Sequence, residues 1–597
     1  MDDARILNRP QSKNAFKKKV FLFSLFILLL LSARIFFFFY SPFVYDEEEY
    51  KTGSISHVML EGLKLPLFEY QPGDYEGGTL LYGMITAFFF TILGENYFAL
   101  KCTALFTIII LGAASVIYAQ KLGGKRSAWA VAILQIIAAP YLIQVTSLPW
   151  GNYAECAALT MLTLLLCHTI LFEGSDGWIR ILTLGFLCGL GVYIHYGYLI
   201  TAAVVAVFWM FLRKNWYKEL KTWAVFAAAL VGFSPWLIYN LTHHFWGLQR
   251  INEGLQNSSN GSQFLHFIRR FIFLWIDDLP AGLHMRTSHE VINRLLSYCW
   301  VMAAVFSMSV LCVPILKKII ARFRNRSTND LNLADAFKHN REILPIFYAI
   351  CYSFIFAFSA YGLFPHPWQG LDPESHAHIF QLYPILILIT AVFAGKTNMR
   401  AGLSYVPTCI LVITGIVGNL YLLDFAHPQF ARLASPGYAQ NVIYVEIGSK
   451  WARSPDEISA ILQKLDPDEQ RSLVFGEGIS LGLFYYKKPN QAFINCRKLP
   501  SNLLQYCALG VGCGFTSQHI INDIELDTVY AMTDSDLKLS VRSGMAIGHG
   551  WFGRFDHPSV AWAKEIHMPS DLPQEEYDFY KRFLQEQLGM ASTKSRK

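Results

Sequence analysis

The chain has 597 residues, 53% of them hydrophobic and 15% aromatic, with a mean hydropathy of +0.31. That balance excludes an ordinary soluble domain and fits a polytopic membrane protein with a polar appendage. The net charge of +6 does not mark a nucleic-acid binder, because the basic residues sit in short loops and no stripe of Lys and Arg with interleaved aromatics appears on a polar face.

Residues 1–19 form a cytoplasmic tail ending in Lys17-Lys18-Lys19. The run 20–40 that follows is long enough to cross a hydrocarbon core of roughly 30 Å. Flanking lysines stay inside, so the chain enters from the cytoplasm and delivers residue 41 to the outer face. A cleaved secretory leader is the alternative, but the apolar run is too long for one and no small-x-small site precedes Arg34. Directly after the run come four consecutive carboxylates, Asp46, Glu47, Glu48 and Glu49.

Further apolar segments lie at 99–119, 128–145, 154–172, 179–194, 198–212, 223–239, 295–316, 343–360, 379–394 and 403–423. With the first run they predict about eleven crossings, which place the Lys121/Lys125/Arg126, Arg180, Arg213/Lys221, Lys317/Lys318 and Lys396/Arg400 clusters on the side of the N-terminus. The stretch 79–93 breaks this parity if it is counted as a crossing, and it is short. It is expected to be a helix that lies at the outer interface or re-enters. The expected organisation is a mainly α transmembrane bundle over 20–424, with a first outer loop at 41–79.

The outer loops hold most of the ionisable chemistry. They carry Lys51, Asp74, Arg269, Arg270, Asp278, His284, Arg286, His376 and His378, with Glu155 at the head of a span and His195-Tyr196 at a turn. A carrier would place such groups near the midplane, so this distribution points to chemistry at a membrane surface on a lipid-borne substrate. Arg34 stands apart, inside the first apolar run, where it either snorkels outward or pairs with a phosphate or carboxylate. The 11 cysteines show no CxxC or metal-ligand spacing, and those in apolar runs read as small hydrophobes. Cys507 and Cys513 lie outside in this topology and could pair.

Beyond residue 424 the composition becomes that of a soluble domain. Gly476, Gly510 and Gly544 recur every 34 residues, a period typical of stacked helix pairs. A helical repeat-like outer domain is therefore expected over 425–590, with a disordered tail at 591–597. No GxGxxG follows a strand, which argues against a nucleotide site.

An Asp46-Glu47 pair directly after a single span resembles the glycosyltransferase C superfamily, in particular its protein O-mannosyltransferase and aminoarabinose transferase branch (glycosyltransferase family 39-like). The run Tyr70-Gln71-Pro72-Gly73-Asp74-Tyr75-Glu76-Gly77-Gly78 looks like the second half of that family's first loop. Leu93-Gly94-Glu95-Asn96-Tyr97-Phe98-Ala99-Leu100-Lys101 is similar to the start of its next helix. Leu148-Pro149-Trp150-Gly151-Asn152-Tyr153-Ala154-Glu155 sits where the family has a second acid, and Gly189 to Tyr196 matches a glycine-rich span end. The sequence departs from the pattern at His378 to Pro384, where relatives often carry an Arg-Tyr pair.

The resemblance implies transfer of a sugar, with inversion, from a polyprenyl-phosphate donor to a lipid, polysaccharide or protein acceptor on the outer face of a bacterial inner membrane. It implies Asp46 as general base with Glu47 orienting it. Tyr70, Asp74, Glu155, His195 and Tyr196 would line the substrate, and Lys51, Arg269, Arg270, Arg286, His376 and His378 are candidates to meet the phosphate. A divalent cation on Asp46 and Glu155 is an open option. For the residues alone the bland alternatives are a solvated acidic loop at Asp46 and a helix-dipole acid at Glu155. The rival function is a lipid-linked sugar translocase, or a non-catalytic binding protein, of the same architecture.

Overall fold

The computed structural model describes residues 13–46, 48–62, 77–213, 215–242, 245, 263–324, 340–358, 373–396, 402–438, 442–450, 455–522, 529, 533 and 535–552. Over these residues the protein is mainly helical. Seven helices are long and apolar enough to cross a membrane, and four shorter apolar helices accompany them, which marks a multi-pass membrane protein. The chain divides into two compact units, residues 1–46 with 101–434 and residues 47–100 with 435–597.

In the first unit the Leu382–Lys396 helix is the central strut, with every residue from Leu382 to Ala394 buried. The first helix, Lys13–Tyr40, has one buried stripe of Phe26, Leu30, Arg34, Phe37 and Phe38, while Phe21 and Leu28 are more than 60% exposed. Large apolar side chains left outside a packed bundle are what a lipid solvent permits. The Trp178–Ile194 and Leu220–Thr242 helices touch backbone to backbone, because a Cβ on Gly189 would lie 1.9 Å from the Ala229 carbonyl and one on Gly232 would lie 2.3 Å from the Phe186 carbonyl. Small residues at such crossings are how membrane helices pack without a hydrophobic drive between them.

Two breaks shape the Tyr97–Ile136 helix and its continuation. Gly124, at φ 78°, interrupts the helix beside Lys125 and Arg126. The segment expected to cross at 128–145 is itself discontinuous: helix ends at Ile136 and restarts as Pro140–Thr146. Pro140 lacks the N–H that would bond the Ile136 carbonyl, and its ring pushes Ala139 into extended backbone, observed at ψ 154°.

The second unit contains the Glu49–Leu60 and Gly78–Leu93 helices, joined by Ser56 Oγ donating to the Gly83 carbonyl at 2.9 Å. Gly78–Leu93 buries Leu80, Gly83, Thr86 and Phe90 but leaves Met84, Phe88 and Ile92 exposed. Further on, Val442–Lys450, Pro467–Phe484, Leu504–Asn522 and Lys538–Phe552 pack in sequence order. Their glycines meet the neighbouring backbones: a Cβ on Gly476 would lie 1.9 Å from the Val445 carbonyl, on Gly510 2.1 Å from that of Phe475, and on Gly544 1.8 Å from that of Leu509. Asp466 begins one of these helices with a complete capping box to Glu469. Cys507 pairs with Cys496, 5.8 Å between Cα atoms, and Cys513 remains a buried thiol.

Candidate functional site

The loop after the first helix is held by its own backbone. Ser41 caps the turn Pro42–Val44 by accepting from the Phe43 N–H at 3.3 Å, and the Tyr45 hydroxyl donates back to the Phe38 carbonyl at 2.5 Å. Lys101, fully buried, donates to the Val44 carbonyl at 2.5 Å and the Ser147 carbonyl at 3.0 Å. A buried ammonium is tolerable only when its hydrogens are used in this way. The same Nζ lies 4.6 Å from the Tyr45 ring centroid, the Arg432 guanidinium lies 4.4 Å from that centroid, and Arg286 lies 4.7 Å from that of Phe43. Three cations thus surround residues 43–45, and the half-buried Asp46 follows at once.

The short helix Pro140–Thr146, buried throughout, links this loop to two others. Gln144 Nε2 donates to the Phe43 carbonyl at 3.4 Å, and Gln144 Oε1 faces His284 Nδ1 at 3.3 Å. The His284 ring stacks at an angle against Tyr141 at 4.8 Å and His376 at 5.4 Å. Burial, then the neighbouring His376 and Arg286, hold His284 well below the usual histidine range, so it is neutral. His376 Nδ1 in turn lies 2.9 Å from Asp278 Oδ1, both buried. Asp278 is placed by a π-helical turn, Leu274–Asp278, a local widening found at functional sites. Tyr383 ties the two loops by donating to the Leu279 carbonyl at 2.9 Å.

A second polar group adjoins through residues 376–381. Tyr153 lies 5.4 Å from His195 and 5.5 Å from His378, and the two histidine rings are 6.3 Å apart. His195 Nδ1 accepts from the Gly197 N–H at 2.9 Å, and burial pushes the imidazole down to about 4. Its proton therefore sits on Nε2 at neutral pH. Tyr196 accepts from Trp236 Nε1 at 2.6 Å. Glu155, 1% exposed in the first turn of the Tyr153–Leu171 helix, has no side-chain hydrogen-bond partner; the backbone amides of Glu155, Gly151 and Asn152 are the donors nearest its carboxylate.

The remaining sequence candidates are spread out. Lys51 is half-buried, 3.9 Å from Glu48 in a pair open to solvent, an arrangement worth little. Glu49 is buried and accepts from the Tyr97 hydroxyl at 2.9 Å. Arg269 is exposed and Arg270 half-buried on the Gln263–Phe273 helix, whose Phe267 stacks on Phe358 at 4.0 Å. Glu47, Tyr70 and Asp74 lie outside the described residues. Among the described residues no group of three or more His, Cys, Asp and Glu could hold a metal ion, so Asp46 and Glu155 gain no shared ligand set there.

Sequence patterns singled out neither Lys101 nor Gln144, and gave Asp278 and His284 only as outer-loop residues. The available signal for Lys101 was a single charge in the first turns of an apolar helix, a place where a lysine must have a reason. The basic loops make their own separate set of contacts: Lys121 to Glu173 at 2.5 Å, Arg213 to Asp176 at 3.1 Å, Lys221 to Asp176 at 2.8 Å, and Lys396 to Glu342. No known family model matches this chain, and no curated protein matches it.

Proposed function

We propose that the protein is an integral membrane glycosyltransferase of the C-type architecture, moving a sugar from a polyprenyl-phosphate donor to an acceptor at the face that carries Asp46. The observation that carries this reading is that the loops predicted to be outer meet one another. Residues 41–46 contact 144–147, 144 contacts 284, 376–383 contacts 278–284, and 378–381 contacts 195–197. The basic loops pair among themselves. This two-set sorting supports about eleven crossings with basic loops inside. The exposed apolar face of Gly78–Leu93 supports an interfacial helix. The Cys496–Cys507 pair supports an outer, oxidising location for the C-terminal helices, whose 34-residue glycine contacts support a helical repeat.

In the proposed step the acceptor hydroxyl gives its proton to the Asp46 carboxylate, with Glu47 orienting it. The acceptor oxygen bonds the anomeric carbon while the bond from that carbon to the phosphate oxygen breaks. The polyprenyl phosphate leaves with the electron pair. Arg286, half-buried beside Phe43, is the sequence candidate best placed to meet that phosphate.

The test is incubation of the purified protein with a panel of radiolabelled polyprenyl-phosphate sugars and lipid, polysaccharide and protein acceptors. One sugar should transfer, and Asp46→Asn should lower its rate by about 100-fold or more. Transfer unchanged in that variant removes Asp46 as base. Movement of labelled donor across vesicles without transfer makes the protein a translocase.

A further inference from the structure

The break at residues 137–139 releases carbonyls inside the bundle, and two side chains from other helices take them. Arg34 Nη2 donates to the Gln135 carbonyl at 3.0 Å, and Asn419 Nδ2 donates to that of Ala138 at 2.7 Å. The Val406–Leu420 helix comes close enough because Gly415 faces the Ile137 carbonyl, where a Cβ would lie at 2.7 Å.

This repair leaves an excess of donors. Arg34 is 1% exposed, and its Nε and Nη1 have no hydrogen-bond partner; neither has the buried Gln135 Nε2. All three atoms carry hydrogens and no lone pair to offer. A guanidinium does not shed its proton to escape burial, and among the described residues no carboxylate pairs with it. An uncompensated buried charge costs several kcal/mol, so the site calls for an anion.

We propose that Arg34 and Gln135 bind the phosphate of a membrane lipid at this break. A phosphate offers several acceptor oxygens and a charge to match the unused donors. The route favours a lipid over a free ion. Arg34 lies six residues before the end of its helix at Tyr40, about 9 Å along the axis, on the buried stripe of a helix whose neighbouring Leu28, Leu29 and Phe36 are exposed. A headgroup carried on acyl chains reaches that depth laterally, whereas a hydrated ion must shed its water to do so. The inference does not depend on glycosyl transfer.

Melting of the full-length, delipidated protein in detergent tests it. Dioleoyl phosphatidic acid should raise the melting temperature by roughly 3–5 °C near saturation, while dioleoylglycerol, which lacks only the phosphate, and millimolar inorganic phosphate should not. Arg34→Met should abolish the shift while melting no lower than the native protein without lipid, since it removes the unpaired charge. Gln135→Leu should at least halve the shift. An equal shift with dioleoylglycerol overturns the phosphate, an equal shift with inorganic phosphate overturns the lipid, and a full shift in both variants overturns the site. Should Arg34→Met fail to fold, the Gln135→Leu titration decides.

Discussion

Lys101 shows how one side chain can hold a loop in place. Its ammonium spans the Val44 and Ser147 carbonyls, so two interhelical segments share one buried cation. Lys101→Met keeps the volume but strands both acceptors, each at about 1–3 kcal/mol. The variant is expected to be destabilised by about 2 kcal/mol or more in denaturant melts and, on the proposed function, to lose transfer beyond that loss of folded protein. Wild-type stability in the variant removes Lys101 from this role. The acidic run of Asp46, Glu47, Glu48 and Glu49 was visible in sequence, four acids after a span, and the family resemblance alone picked Asp46 from it. The role of Lys101 was not visible, because its partners are backbone carbonyls 57 and 46 positions away and carbonyls carry no sequence signal.

At the level of elements, the C-terminal helices put one acid where the repeat elsewhere puts apolar residues. Ile443, Glu477, Val511 and Met545 occupy equivalent positions 34 apart, all buried, and neither Glu477 oxygen has a partner. Burial pushes its carboxyl up to about 8. Below the unfolded value, near 4.5, both states are protonated. Between there and about 8 the unfolded chain loses its proton while the folded chain keeps it, so stability falls as pH rises and levels off above that window. The decline is on the order of 1 kcal/mol per pH unit. Urea melts at pH 5, 6.5 and 8 should show it in the native protein and not in Glu477→Leu; parallel curves refute the assignment. The glycine contacts admit no side chain, so Gly510→Val, aimed at the Phe475 carbonyl, should cost several kcal/mol. Loss of the helical melt in that variant by circular dichroism checks this, and an unchanged melt refutes the close approach. The 34-residue glycine spacing was legible in sequence. The partner of Cys507 was not, since nearness in sequence favours Cys513 and the helix hairpin brings Cys496.

At the scale of the molecule, the loops of the first unit meet in two groups, one holding residues 43, 144, 284 and 376 and the other pairing Lys121, Arg213, Lys221 and Lys396 with Glu173, Asp176 and Glu342. Single cysteines at Lys125 and His427, in a cysteine-free background, are expected to label from opposite faces with an impermeant maleimide, as the proposed crossings require. Labelling from one face ends that topology. The long apolar helices were foreseeable because hydropathy acts locally and survives in any arrangement of helices.

The sequence by itself determined that long apolar helices would form, because the cost of exposing a peptide group to lipid applies segment by segment whatever the neighbours are. Only the tertiary structure decided which loops meet, where the helix after Gly124 breaks, and which donors and acids are left buried without partners. Those outcomes depend on contacts such as Arg34 with Gln135 and His376 with Asp278, 101 and 98 positions apart. No local pattern encodes distances of that kind.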